Sequence, residues 1–141
     1  MAEAYFNYLA DKNHLSGSLK AISAGTRAYP GDRASEQAVE SSLRFGIDIS
    51  THSSRPISYE LVLASDWILT MTEKQKKEVL EQFPKTKGKL FTIKEFVNKT
   101  GDIEDPIGTT SKIYETIYKE IIDTVEMTFE RIKTIENSDR Q

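Results

Sequence analysis

Cysteine is absent from the 141 residues. That absence removes disulfide bonds, thiolate metal sites and thiol nucleophiles together. Histidine is nearly as scarce. His14 and His52 are the only two, without the paired spacing of a structural zinc site, so no metal and no cofactor is expected. No apolar run approaches the roughly 18 residues that span a bilayer, and the N-terminus has no basic segment followed by an apolar stretch and a cleavage site. The expectation is a cytoplasmic protein with no membrane partner. An excess of positive charge is lacking too: 19 basic against 22 acidic residues leave a net charge of −3, with no field to gather nucleic acid. The short runs KQKK and PKTKGK mix with acids and read as solvated faces. Neither an internal repeat nor a low-complexity segment occurs.

What is present is enough apolar content, 38% of residues, to bury one core, so residues 1–135 are expected to form a single domain followed by a polar, frayed tail at 136–141. Met1, Ala4, Tyr5, Tyr8 and Leu9 follow helical spacing, which predicts an opening helix that buries this face and ends near Asn13, with His14 beside its C-terminus. SLKAISAGT alternates and then breaks at Gly25, the pattern of a short strand. Residues 34–45 predict a helix with Ala38, Val39 and Leu43 on one face, closed at Gly46. The polar stretch 47–58, interrupted by Pro56, predicts a surface loop leading to a short helix capped by Ser58.

DWILTM (66–71) is a compact apolar run that predicts a strand buried on both faces, with Trp67 in the core. Thr72 and Gln75 have capping-box spacing and predict a helix that stops at Pro84. KLFTI (89–93) predicts another strand and GDIEDPIG (101–108) a loop. Ile113, Ile117, Ile121 and Val125, flanked by Tyr114, Tyr118, Ile122 and Phe129, predict a long amphipathic final helix. Strands alternating with helices imply an α/β fold of three layers, a parallel sheet covered by helices on both faces.

The segments MAEAYF, SAGT, GIDISTHSSRPIS, ASDWILTMT, LFTIKEF and GDIEDPIG, in this order and spacing, resemble the low-molecular-weight protein tyrosine phosphatases nearly end to end. The stretch from LFTIKEFV to DPIGTTSKIY is most similar to the bacterial members that act on phosphoarginine. The resemblance implies a four-stranded parallel sheet whose first strand and Cys-x5-Arg-Ser-Pro phosphate loop would precede MAEA. Met1 then occupies an internal family position, and a miscalled start is expected. The family mechanism uses a thiolate nucleophile and an arginine clamp. The chain as given is therefore expected to be inactive by that route.

Several residues have roles implied by the resemblance. Asp105, before Pro106, matches the general acid, although an Asp-Pro pair on its own equally reads as a turn start. Asp102 and Glu104 read as solvated loop charges. Ile107 stands where tyrosine phosphatases place an aromatic substrate-pocket wall, so the choice between phosphotyrosine and phosphoarginine stays open. Ser23 and His52 match positions that support the phosphate loop, while Glu3 reads as a structural acid at a helix start. The expected partner is a phosphorylated protein substrate. The competing expectation is a non-catalytic relative that binds or regulates, with a strand-completing partner chain if Met1 is the true start. Arsenate reduction on the same fold needs several cysteines and ranks last.

Overall fold

In the computed structural model, which describes residues 1–26 and 29–139, the opening helical pattern becomes α1 (Ala2–Lys12), with Asn13 as C-cap. Its end is a Schellman turn. His14 takes a left-handed φ of 59°, its N–H bonds Asp11 O at 3.1 Å, and Leu15 N–H bonds Ala10 O at 2.7 Å. The face that α1 buries differs from the expected one. Phe6 and Ala10 are buried, one turn apart, whereas Tyr8 is 52% exposed. The reason is the long helix α6 (Ser111–Asp139), on which α1 packs. The Phe6 ring meets Phe129 edge-on, centroids 5.4 Å apart at 73°, and burying one such ring contributes about 1.5–3 kcal/mol.

The chain divides into two compact units. The first comprises Met1–Ile22, Ala34–Thr51 and the segment from Asp105 on; the second comprises Ser23–Arg33 and His52–Glu104. In the first unit α2 (Glu36–Leu43) also packs on α6. Ser35 caps its start, accepting from Ala38 N at 3.2 Å. Here the expected face is corrected. Ser41 and Ser42 are buried and Leu43 is 52% exposed, because small side chains let two helix backbones approach. Gly46, at φ 78°, closes the helix as expected, with Ile47 N–H returning to Ser42 O at 3.0 Å. The loop that follows is anchored by the buried Ile47 and Ile49.

Of the expected stripe on α6, Ile121 and Val125 are buried, whereas Ile113 is 44% exposed and Ile117 half-buried; the flanking Tyr114, Tyr118 and Phe129 are buried in their place. Thr124 and Thr128 are buried as well, their hydroxyls donating to Glu120 O at 2.7 Å and Thr124 O at 2.8 Å. These bonds to the preceding turn let polar side chains enter an apolar face. The helix continues through Asp139, so residues 136–139 are helical rather than frayed.

The strand expected over 19–24 does not form as a ladder. Ala21 is bonded instead to the Asn7 side chain, with Ala21 N to Oδ1 at 2.8 Å and Nδ2 to Ala21 O at 3.0 Å. Beyond it the chain makes only an isolated parallel bridge from Gly25 to Pro56.

The second unit holds a parallel crossover. β1 (Ile68–Thr70) pairs with β2 (Leu90–Thr92) in the register Ile68 to Leu90, Leu69 to Phe91 and Thr70 to Thr92, with α4 (Glu73–Gln82) between them in sequence. Both capping-box bonds of Thr72 and Gln75 are made, and a 3₁₀ turn at Pro84–Thr86 follows α4. Ile68 and Leu69 are half-buried rather than covered on both faces. β1 has β2 as its only ladder partner among the described residues.

α3 (Tyr59–Ala64) starts at Ser58 as expected, and its terminal carbonyls receive Lys89 Nζ at Val62 O, 2.6 Å, and Ser65 O, 2.7 Å. Trp67 packs at 6.1 Å on Phe91 and 5.3 Å on Phe96. A further short helix, α5 (Ile93–Phe96), was not expected. Its signal lay in the sequence, since Thr92 and Glu95 have capping-box spacing and both bonds form.

Candidate functional site

Asp105 opens a tight turn in the first unit. Its Oδ1 accepts the Ile107 N–H at 3.0 Å, an Asx turn of the kind that Asp-Pro pairs favour. Pro106 is buried and Asp105 exposed, so the ring anchors the turn while the carboxylate faces water. Thr109 closes it, with both N–H, at 3.0 Å, and Oγ1, at 2.5 Å, donating to Pro106 O. Gly108 supplies the left-handed φ of 79° that this closure requires. Ile107 is 69% exposed beside the carboxylate. Thr110 then starts α6, its Oγ1 accepting Ile113 N–H at 3.3 Å.

Two groups of the same unit bear on this turn, and sequence reasoning assigned neither to it. Gln37 of α2 donates through Nε2 to Thr109 O at 3.0 Å. Tyr118 of α6 has its phenol pushed above the usual range, chiefly by burial, which outweighs the lowering effect of the Ser42 hydroxyl, and the nearby Asp105 carboxylate adds a smaller push upward. Both connections are tertiary, and nothing in the local spacing around residue 37 or 118 announces them.

Ser23 and His52 lie in the second unit, on segments that are laced together. Gly25 N–H bonds Arg55 O and Ile57 N–H bonds Gly25 O, both at 3.0 Å. Ser54 N–H bonds Asp32 O at 2.7 Å, and Gly31 N–H bonds Ser54 O at 2.9 Å. An antiparallel bridge joins Arg33 to Ser53. The segments carrying Ser23 and His52 are thus paired a few residues downstream of each, and neither residue is without a partner. Asp105 and Ile107 share the turn of the first unit.

Asp102 is not simply a solvated charge. Its Oδ1 accepts Glu73 N–H at 2.9 Å, so it satisfies a free donor at the start of α4, where negative charge is also favoured by the helix dipole. The neighbouring Ile103 is buried and donates its N–H to Met71 O at 2.9 Å. Glu104 is exposed.

Among the described residues no group of three or more His, Cys, Asp or Glu side chains could hold a metal ion, and no helix is long and apolar enough to cross a membrane. An open depression of about 420 Å³ in the second unit is lined by Thr26, Glu78, Glu81 and Gln82 and contains none of the expected site residues.

The family model for low molecular weight phosphotyrosine protein phosphatase matches residues 1–138. The chain is 33% identical over 134 residues to the protein-arginine-phosphatase of Bacillus subtilis (strain 168), covering 94% of this chain and 87% of that one. The crystal structure of a low molecular weight protein tyrosine phosphatase from T. tengcongensis is similar at a TM-score of 0.86 and 34% identity, over 92% of this chain and 88% of that one. The YwlE arginine phosphatase from Geobacillus stearothermophilus is similar at a TM-score of 0.86 and 29% identity, over 97% and 86%. The α/β class with a parallel sheet, expected from the sequence, is the class of these structures.

Proposed function

The chain belongs to the low molecular weight phosphotyrosine protein phosphatase family, on its phosphoarginine-phosphatase-like branch, and from that premise we propose that it serves the hydrolysis of phosphoarginine or phosphotyrosine in proteins with Asp105 as general acid. The observation that carries this reading is the Asp105 turn: an exposed carboxylate, fixed by Ile107 N–H and seated on a buried Pro106. A general acid must reach the leaving atom while its own backbone stays put, and an exposed carboxylate on a closed turn supports that reading.

In the proposed reaction a thiolate attacks phosphorus, and a sulfur–phosphorus bond forms as the bond from phosphorus to the leaving nitrogen or oxygen breaks. Asp105 gives its proton to that leaving atom. As a carboxylate it then takes a proton from the water that releases phosphate. These 141 residues contain no cysteine to supply that thiolate. By itself the chain is therefore expected not to turn over. Ser23 and His52 are read as supports of the phosphate-binding loop, and Ile107 as a wall of the substrate pocket. Its aliphatic side chain offers no ring to stack on a phosphotyrosine, so phosphoarginine proteins are the first substrates to try.

The test joins the chain to a preceding segment bearing Cys-x5-Arg-Ser-Pro and assays it on a phosphoarginine protein and a phosphotyrosine peptide. Phosphatase activity is expected, with Asp105→Ala lowering kcat by about 10²–10⁴ on a substrate with a poor leaving group. Equal activity with and without Asp105 would refute its role. A folded but inactive joined chain would favour a non-catalytic binding or regulatory relative.

A further inference from the structure

We propose that Gln37 is a positioning residue for the Asp105 carboxylate, acting through the backbone of Thr109; this rests on the general-acid reading of Asp105. The turn at residues 105–109 is closed on itself by Asp105 Oδ1 with Ile107 N–H and by Pro106 O with Thr109. Such bonds fix its internal shape but leave its orientation to be set from outside. Gln37 supplies an outside tie, donating from Nε2 to Thr109 O at 3.0 Å.

The donor is itself held in place. Gln37 is the second residue of α2, inside the turn that Ser35 caps through Ala38 N–H, and α2, whose Ser41 and Ser42 are buried, packs on α6. The same α6 is capped by Thr110, directly after the turn, with Tyr114 N–H bonded to Thr110 O at 3.0 Å. Gln37 and α6 therefore grip the downstream end of the turn from two sides. The chemistry at residue 37 is specific. A glutamine donates to a carbonyl, whereas an ionised glutamate of the same shape offers only acceptors and repels it. Losing this donor frees Thr109 O and loosens the turn whose other end carries the Asp105 carboxylate.

The experiment measures amide hydrogen exchange, residue by residue, in the 141-residue chain with Gln37→Ala and Gln37→Glu. Near neutral pH the protection of Ile107 and Thr109 should fall about fivefold in both variants, the worth of one neutral hydrogen bond. Protection of Val125 and Phe129 in α6 should stay as in the parent. In Gln37→Glu, protection of Ile107 and Thr109 should return as the pH is lowered and the new carboxyl gains the proton that lets it donate. The proposal is overturned by unchanged protection at Ile107 and Thr109, by a loss shared equally with Val125 and Phe129, or by a loss that persists once the carboxyl is protonated. Exchange reads the turn without turnover, so failure here leaves the role of Asp105 to its own kinetic test, and failure there leaves this measurement standing.

Discussion

The Asn7 carboxamide lies against the backbone of Ala21 and uses both of its polar ends, receiving Ala21 N–H on Oδ1 at 2.8 Å and donating Nδ2–H to Ala21 O at 3.0 Å. A side chain of α1 thus does for Ala21 what a neighbouring strand would do. It supplies one donor and one acceptor to a part-buried peptide that would otherwise be unsatisfied.

Asn7→Ala should therefore destabilise the chain by about 1–3 kcal/mol, because both Ala21 groups lose their partner at once. Asn7→Asp keeps an acceptor but sets a carboxylate oxygen against Ala21 O, so it should not rescue. Urea unfolding of the three proteins checks this; an Asn7→Ala midpoint equal to the parent's would refute the clamp.

The start of α4 depends on two side chains from distant parts of the sequence. Thr72 serves Gln75 N–H at 3.1 Å, and Asp102 serves Glu73 N–H at 2.9 Å. Thr72→Ala and Asp102→Ala should each cost about 1 kcal/mol, the usual worth of a cap. Asp102→Asn retains the acceptor oxygen and should recover most of the loss. Equilibrium unfolding of the single variants decides whether Asp102 acts as a cap or only as a surface charge.

The Glu95 carboxyl titrates below its ordinary value. Burial works to raise it, and the Lys76 ammonium together with Thr92 N–H and hydroxyl overcomes that effect. A depressed acid stabilises the fold above its unfolded pKa and loses that contribution as pH falls through the folded one. The stability gap between the parent and Glu95→Gln should thus be present at neutral pH and close below about 4.5, the ordinary value. Because the pair is partly exposed, added salt should narrow the gap as well. Unfolding free energies across that range, at two salt concentrations, test both statements.

On the alkaline side Tyr5 has the opposite sign. Burial, then its hydrogen bond to the Glu126 carboxylate, raises its phenol above its ordinary value of 10.0. Its neutral form is favoured in the folded state, so the stability it contributes is full below about 10 and is lost as pH rises through the folded pKa. A spectroscopic tyrosine titration of the folded chain should show, besides Tyr118, a second phenol that resists ionisation there and is lost in Tyr5→Phe. Curves that match after correction for one tyrosine would show that the Glu126 contact does not shift Tyr5.

Local chemistry made much of the chain legible in advance. Thr72 with Gln75 marked a helix start, Gly46 a helix end and Pro84 a stop. The spacing around Ile121 and Val125 marked a long amphipathic α6, although packing buried the flanking Tyr114 and Tyr118 and left Ile113 exposed. Each signal works over one or two turns, where a side chain meets only its near neighbours. The Asp-Pro pair likewise announced a turn, and the resemblance singled out its carboxylate.

What only the tertiary structure decided were choices among partners far apart in sequence. Periodicity gave α1 an apolar face, but packing on Phe129 selected Phe6 and left Tyr8 in water. Alternation suggested a strand through Ala21, but a strand exists only where another backbone pairs with it, and Asn7 took that place. Asp102 looked like any exposed acid until α4 brought an unpaired N–H to it, and Gln37 like any surface amide until the fold set Thr109 O against it. Hydrogen-bond donors and acceptors can be counted along a chain, but which of them meet is fixed when long-range packing closes the loops between them.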